Sequence, residues 1–381
     1  MNATQSARAA TVAALDGGPR AALTRAMDDM IAAGATGVLV RVHDRLGGWT
    51  ATAGVARRGR PDPVPEHARF RIGSVTKTFV AAVVLMLAAE GELDLDDPVD
   101  RYLPRFGLDG RITVRMLLIH VSGLYNYSGK HQLDRTVEPG IFPTSGDQYV
   151  RQLTTSYTPD ELVRFALDRP AYFAPGAGFA YSNTNYVLLG MLIEEITGEP
   201  YGQQVYRRIV RPLGLSETTV PGQDPAIPGP HAHGYLGYRL DGQPQVADVT
   251  RSNPSWYGAA GEIISSARDL DVFLAALLDG RLLPPRALAE ITSFTPPPPD
   301  PGISPGLFRR QFAPDRTGIG HFGSVPGYLC HAYSTLDGAA RLVVSATKGA
   351  VDRFDPAAFS AFQTAMDRAL VACFSSLVVP S

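Results

Sequence analysis

A serine stands three residues before a lysine at Ser74-Val75-Thr76-Lys77, in a chain whose only other lysines are Lys130 and Lys348. A serine hydroxyl is a weak nucleophile until a base takes its proton, and a buried lysine can lose its charge and become that base. Two further clusters could work with this pair. Tyr181-Ser182-Asn183 offers a phenol able to carry a proton and an amide able to donate and accept together. Gly320-His321-Phe322-Gly323-Ser324 sets an imidazole, a proton relay near neutral pH, among glycines that allow a ligand backbone to come close. The chemistry these residues support is nucleophilic catalysis by an activated serine.

They can act together only if the surrounding elements bring them to one place. Ala68-Arg69-Phe70-Arg71-Ile72 reads as a short strand and Gly73 as a hinge. Phe79, Val80, Val83, Val84, Met86 and Leu87 then cover too much of a helix for it to lie on a surface. Residues three apart on a helix face the same way, so Ser74 and Lys77 point together from the first turn. The unpaired N–H groups of that turn suit a developing oxyanion. The same spacing recurs at Ser345-Ala346-Thr347-Lys348, after the β-type run Arg341 to Val344 and with no apolar helix behind it. That copy reads as a sheet strand ending at the surface, without a catalytic role. Taken singly, Tyr181 reads as a packed aromatic, Asn183 as a helix cap and His321 as a structural histidine. Their order along the chain after Ser74 is what reverses those readings.

A helix is predicted from about 19 to 33, strands near 37–43 and 49–56, and helical segments from about 112 to 210. Residues 222–230 form a Pro/Gly connector, Ser266–Leu278 an amphipathic helix, and 295–300 a proline-rich surface linker. Strands return at about 305–312, 317–323, 326–334 and 340–347, before a last helix from 356 to 374. Strands at both ends with helices between predict an α/β (α+β) fold. Its single antiparallel sheet is assembled from the two chain ends and flanked by the terminal helices. Residues 17–78 and 256–381 form the sheet domain, 79–255 a mostly helical insertion, and the site lies where the two meet.

Composition narrows the function. At 381 residues, 45% hydrophobic and 19% charged, the chain is an ordinary globule, and its net charge of −2 without a basic run argues against a nucleic-acid partner. No secretory signal or apolar span of ~20 residues is read, so a cytoplasmic location and no membrane partner are expected. Two cysteines, Cys330 and Cys373, cannot define a disulfide framework and read as buried thiols. His231-Ala232-His233 has no third ligand at metal spacing, so neither metal nor cofactor is expected. His43, His67, His120, His131 and His331 read as structural.

The order Ser-x-x-Lys, Tyr-x-Asn, His-x-Gly resembles that of the serine β-lactamase and penicillin-recognising family, in particular class C β-lactamases and soluble D-alanyl-D-alanine carboxypeptidases. The likeness runs from about 35 to 375. It includes Phe70 to Lys77, Ser122-Gly123-Leu124-Tyr125, Tyr181 to Tyr186, Pro254-Ser255-Trp256, Ala260 to Ser266 and His321 to Ser324. The resemblance implies a β-lactamase/transpeptidase-like fold with Ser74 as nucleophile and Lys77 as base, shared or not with Tyr181. It implies that Tyr181 protonates the leaving group with His321 assisting, and that Asn183 holds the substrate amide. The Ser74 and Ser324 N–H groups would form the oxyanion hole, and Trp256 would wall the acyl pocket. Arg309 and Arg310 would stand near a substrate carboxylate.

One position departs from the family pattern. Phe322 replaces the usual threonine or serine, removes a hydroxyl that binds the substrate carboxylate, and is expected to narrow the cleft. The expected function is serine acyl transfer: hydrolysis of a small ester or amide, or passage of its acyl group to an amine acceptor. The alternatives are a D-alanyl-D-alanine carboxypeptidase and a non-catalytic binding member of the fold.

Overall fold

The computed structural model describes residues 20–131, 137–142, 146–295, 302–351 and 355–378. Most of the 295–300 linker therefore lies outside the described residues. The strands are β1 (Ala35–Asp44), β2 (Gly47–Gly54), β3 (Arg69–Arg71), β4 (Lys130–His131), β5 (Val137–Glu138), β6 (Tyr235–Leu240) and β7 (Gln243–Asp248). They continue with β8 (Ile264–Ser266), β9 (Ile303–Ser304), β10 (Leu307–Ala313), β11 (Arg316–Val325), β12 (Tyr328–Ser334) and β13 (Arg341–Lys348). Seven of them form one sheet in the order β2-β1-β13-β12-β11-β10-β9, antiparallel throughout. The sheet draws on both ends of the chain, as expected. The β6–β7 ribbon was not anticipated within the helical stretch.

Strand alternation divides the sheet's side chains between two cores. Val38, Val40, Val42, Leu342, Val344 and Tyr333 pack with the terminal helices Ala21–Ala32 and Pro356–Ser375. Leu39, Val343, Cys330 and Ala332 face the other way, into the larger core with Phe79, Leu188, Ile263 and Phe273. That core is organised by the Thr76–Glu90 helix, whose residues from Thr76 to Leu87 are all buried. Phe79 stacks on Phe273 of the Ala267–Leu278 helix at 3.8 Å. The helix ends at Gly91, whose left-handed φ of 81° lets Glu92 N–H reach back to Leu87 O at 3.0 Å. The Gly73–Glu90 segment is long and apolar enough for a membrane span, and its burial inside this fold explains that composition. Cys330 and Cys373 are buried free thiols.

The second serine–lysine copy corrects an expectation. Ser345 to Lys348 ends a strand, but all eight residues of β13 are buried, because β1 pairs on one side and β12 on the other. Lys348 does not finish at the surface.

Candidate active site

Ser74 lies in a 3₁₀ turn, Gly73–Val75, that leads directly into the buried helix. A turn of three residues stacks positions i and i+3, and the Ser74 Oγ to Lys77 Nζ distance is 3.0 Å. The turn is pressed against β11. Gly73 has a φ of +53°, and a Cβ there would stand 3.0 Å from Ser324 N. A Cβ at Gly323 would meet Ile72 O at 1.9 Å and Ser74 N at 2.8 Å. Only glycine allows this approach, which brings the Ser74 and Ser324 amides to one small space. Thr76 holds the other side, its hydroxyl accepting from Ile263 N at 3.1 Å.

Lys77 is fully buried. Its Nζ contacts Asn183 Oδ1 at 2.8 Å and Ala260 O at 2.6 Å, besides Ser74. Burial, which strips the ammonium of water, holds it well below its ordinary pKa. Tyr181 OH donates to Ser74 Oγ at 2.8 Å, and burial raises the phenol's pKa. Asn183 begins the helix Asn183–Thr197. Its N–H donates to Asn126 Oδ1 at 3.0 Å and its Nδ2 to Ser128 Oγ at 2.9 Å. The His321 ring lies 6.4 Å from that of Tyr181 and 5.0 Å from Phe308. Burial, with a smaller push from the Lys77 charge, brings its pKa down to about 3, so it is neutral near pH 7.

Ser74, Lys77, Tyr181, Asn183, His321 and Ser324 thus meet at the edge of the sheet. β10 pairs with β11 only over Arg316–Gly320, leaving His321–Val325 with β12 on one side and no further strand on the other among the described residues. Surface clefts of about 580 and 600 Å³ lie elsewhere and include none of these side chains.

The other expected residues fare differently. Phe322 is opposite His331 and His321 opposite Ala332, so the two leave the strand on different faces. Phe322 is 47% exposed, and its ring lies 6.1 Å from that of His331, 5.8 Å from that of His321 and 6.4 Å from that of Phe308, so it forms a rim beside His321. Arg310 shares the terminal-helix face with Phe312 and donates to Asp367 at 2.6 Å, which removes it as a carboxylate ligand for the site. Arg309 takes the opposite face and lies over the Phe294 ring at 4.6 Å. Trp256 does not wall a pocket. It is 4% exposed and sits in a satellite cluster with Phe142 and Tyr149, because the Pro254–Trp256 turn directs its ring inward.

Two contributors were missed. Lys348 Nζ donates to Ser324 Oγ at 2.9 Å and to Val325 O at 3.1 Å, so the lysine set aside as a strand end braces the edge beside Ser74. His120 lies under Tyr181, with ring centroids 4.4 Å apart. The only sequence signal for it was its place just before the Ser122-Gly123-Leu124-Tyr125 run.

A buried Ser-x-x-Lys helix, a tyrosine on the serine oxygen and a flanking antiparallel sheet define the class of active-site-serine proteins with the β-lactamase/transpeptidase-like fold. The Beta-lactamase family model matches residues 20–358, and the chain belongs to that family. The chain is similar to a D-stereospecific amidohydrolase from Streptomyces sp., with 39% identity and a TM-score of 0.77 over 87% of this chain and 95% of that one. It is also similar to the D-amino acid amidase of Ochrobactrum anthropi SV3 solved with D-phenylalanine, with 30% identity and a TM-score of 0.77 over 94% and 99%. Esterase EstB of Burkholderia gladioli is 33% identical over 196 residues, 48% of this chain and 46% of that one. The chain spans half or less of the curated relatives it matches, among them a penicillin-binding protein of Bacillus subtilis.

Proposed function

We propose that this protein is a serine acyl-transfer enzyme that forms an acyl-enzyme on Ser74 from a small D-configured amino-acid amide or ester. The observation that carries the reading is the pair of contacts on one oxygen, Lys77 Nζ at 3.0 Å and Tyr181 OH at 2.8 Å. A neutral amine has two hydrogens and one lone pair. Asn183 Oδ1 and Ala260 O occupy the two hydrogens, which turns the lone pair of Lys77 toward Ser74. Tyr181, kept protonated, donates to the same oxygen.

In the proposed sequence the Ser74 Oγ–carbonyl bond forms as Lys77 takes the hydroxyl proton. The carbonyl π pair moves to oxygen, held by the Ser74 and Ser324 N–H groups. Collapse breaks the bond to the leaving amine or alcohol, which takes the Tyr181 proton, and the Lys77 ammonium returns a proton to the phenolate. Water, or an amine acceptor, then attacks the ester with the proton transfers reversed. The substrate would lie along the open His321–Val325 edge, where main-chain hydrogen bonding is available. The relatives that carry D-stereospecific and D-amino-acid names support the D-configured acyl donor. Cell fractionation tests the cytoplasmic placement that goes with this reading.

The deciding experiment is steady-state hydrolysis of D- and L-phenylalanine amide and of an activated ester, together with intact-protein mass for wild type and Ser74→Ala. Acylation of wild type only, with the D-amide preferred, is the expected result. Turnover that survives Ser74→Ala overturns it. A carboxypeptidase reading is favoured by one observation, the Arg309 guanidinium, which lies over the Phe294 ring on the face of β10 away from the terminal helices. A Ser74 adduct with benzylpenicillin would support it.

A further inference from the structure

We infer that His120 is the positioning residue that holds Tyr181 against Ser74, and that it does so as the neutral tautomer with its proton on Nε2. This rests on the proposed role of Ser74. His120 follows the short helix Val114–Leu118 and has a φ of +59°. Only His120 and Asp241 are non-glycine residues in that region among the described residues. Asp241 is an exposed hairpin residue, whereas His120 is 2% exposed. A left-handed backbone at a buried, non-glycine position is strain that surrounding contacts must hold in place.

Those contacts converge on the tyrosine. Ala180 N–H donates to His120 O at 3.1 Å, and Ser182 N–H lies 3.2 Å from His120 Nδ1. The residues on both sides of Tyr181 are therefore anchored on one histidine, and the imidazole lies under the phenol between them. Asn185 Nδ2 is also 3.2 Å from Nδ1. The amide's orientation is set by Ser122, whose hydroxyl donates to Asn185 Oδ1 at 2.7 Å.

The chemistry at Nδ1 follows by elimination. A backbone N–H and an amide NH₂ can only donate, so Nδ1 must present its lone pair to both, and the ring proton belongs on Nε2. A proton on Nδ1 would face two donors and release both anchors. The charged and titratable groups that face it are Lys77, His321 and the Tyr181 and Tyr186 phenols, whose rings lie 4.4 and 5.3 Å away, and none carries a standing negative charge that would favour an imidazolium. The ring therefore stays neutral while Lys77 gains and loses its proton.

Three variants separate the parts. His120→Asn keeps an oxygen near the place of Nδ1 and tolerates a left-handed backbone. His120→Phe keeps a ring and loses the acceptor, and His120→Ala loses both. On the activated ester, kcat is expected to fall about 100-fold in His120→Ala with KM changed less than about threefold, and to recover about tenfold in His120→Asn. In a Tyr181→Phe background the same substitutions should cost less than about threefold, because His120 acts through the phenol. Losses that multiply independently of Tyr181, or a KM effect with kcat intact, overturn the proposal. If His120→Ala does not fold, His120→Asn and His120→Phe alone and with Tyr181→Phe complete the cycle. Imidazole ¹⁵N NMR of the wild type reads the tautomer without any turnover. A protonated Nδ1 at neutral pH sinks the inference even if Ser74 proves to be the nucleophile. A bare Nδ1 in a protein that Ser74 reagents do not acylate sinks the functional reading instead.

Discussion

Two segments of this chain carry serine three residues before lysine, and the fold uses them in opposite ways. At Ser74 the backbone is helical, and an i, i+3 separation brings the two functional groups to 3.0 Å. At Ser345 the backbone is extended, so an odd separation sends the side chains to opposite faces of β13. Lys348 then finds its partner on another strand, at Ser324 Oγ. The same tetrad spacing thus gives a hydrogen-bonded pair in one period and two unrelated side chains in the other. Both lysines nevertheless reach the same sheet edge, one at the proposed nucleophile and one beside the proposed oxyanion hole.

The largest test of that contrast removes each serine. Ser74→Ala should lower kcat/KM by roughly a thousandfold or more, while Ser345→Ala should leave it within about twofold. Comparable losses at the two positions would break the comparison. Removing each lysine comes next: Lys77→Ala should cost about a thousandfold in acylation rate, and Lys348→Met about tenfold, through Ser324. Stopped-flow acylation with an activated ester reads both. A Gly323→Ala variant should lose about 100-fold in kcat even if it folds, because its Cβ would collide with Ile72 O and separate the two amides.

The remaining effects are on stability, and they contrast the site with a second buried group. His321 has an ordinary pKa of 6.5 and about 3 in the folded protein, so below pH 6.5 the unfolded chain binds a proton that the native state refuses. Its contribution is complete above pH 6.5 and falls as pH drops, by roughly 2–3 kcal/mol at pH 4.5 at about 1.4 kcal/mol per pH unit. Glu262 is the reverse case. It accepts from Tyr201 OH in the core, and burial raises its pKa from 4.5 to about 7. Its contribution is complete below pH 4.5 and is lost as pH rises through 7, up to roughly 3 kcal/mol. Urea denaturation at pH 4.5 and 7.5 should therefore show His321→Gln losing less than wild type on acidification, and Glu262→Gln losing less on neutralisation. Unchanged pH dependence in either variant removes that group from the account.

Much of the architecture is legible in the sequence. The last helix, the four returning strands and the Ser266–Leu278 helix were expected close to where they lie, because their hydrophobic periods are long and uninterrupted. The Ser74–Lys77 pair was equally legible, since its geometry is local to one helical turn. The errors share a cause. Arg309 and Arg310 are neighbours on one strand, and only the packing of β10 decides which faces the terminal helices and binds Asp367. Trp256 reads as a wall in the sequence, but its ring completes a cluster with Phe142, which is distant in sequence. His120 reads as one more structural histidine, because nothing local announces that its ring will lie under a tyrosine 61 positions later.

The sequence alone carries most of the elements, the sheet built from both ends and the Ser74–Lys77 pairing. Each of these depends on a local period of two or 3.6 residues and on the chemistry of neighbouring side chains. Only the tertiary structure decided that Lys348 reaches Ser324, that Phe322 turns outward onto His331, and that His120 supports Tyr181. Those outcomes depend on strand order, on register and on which face meets which core. They follow from the packing of the whole chain, where a shift of one residue in a strand moves every side chain to the other face.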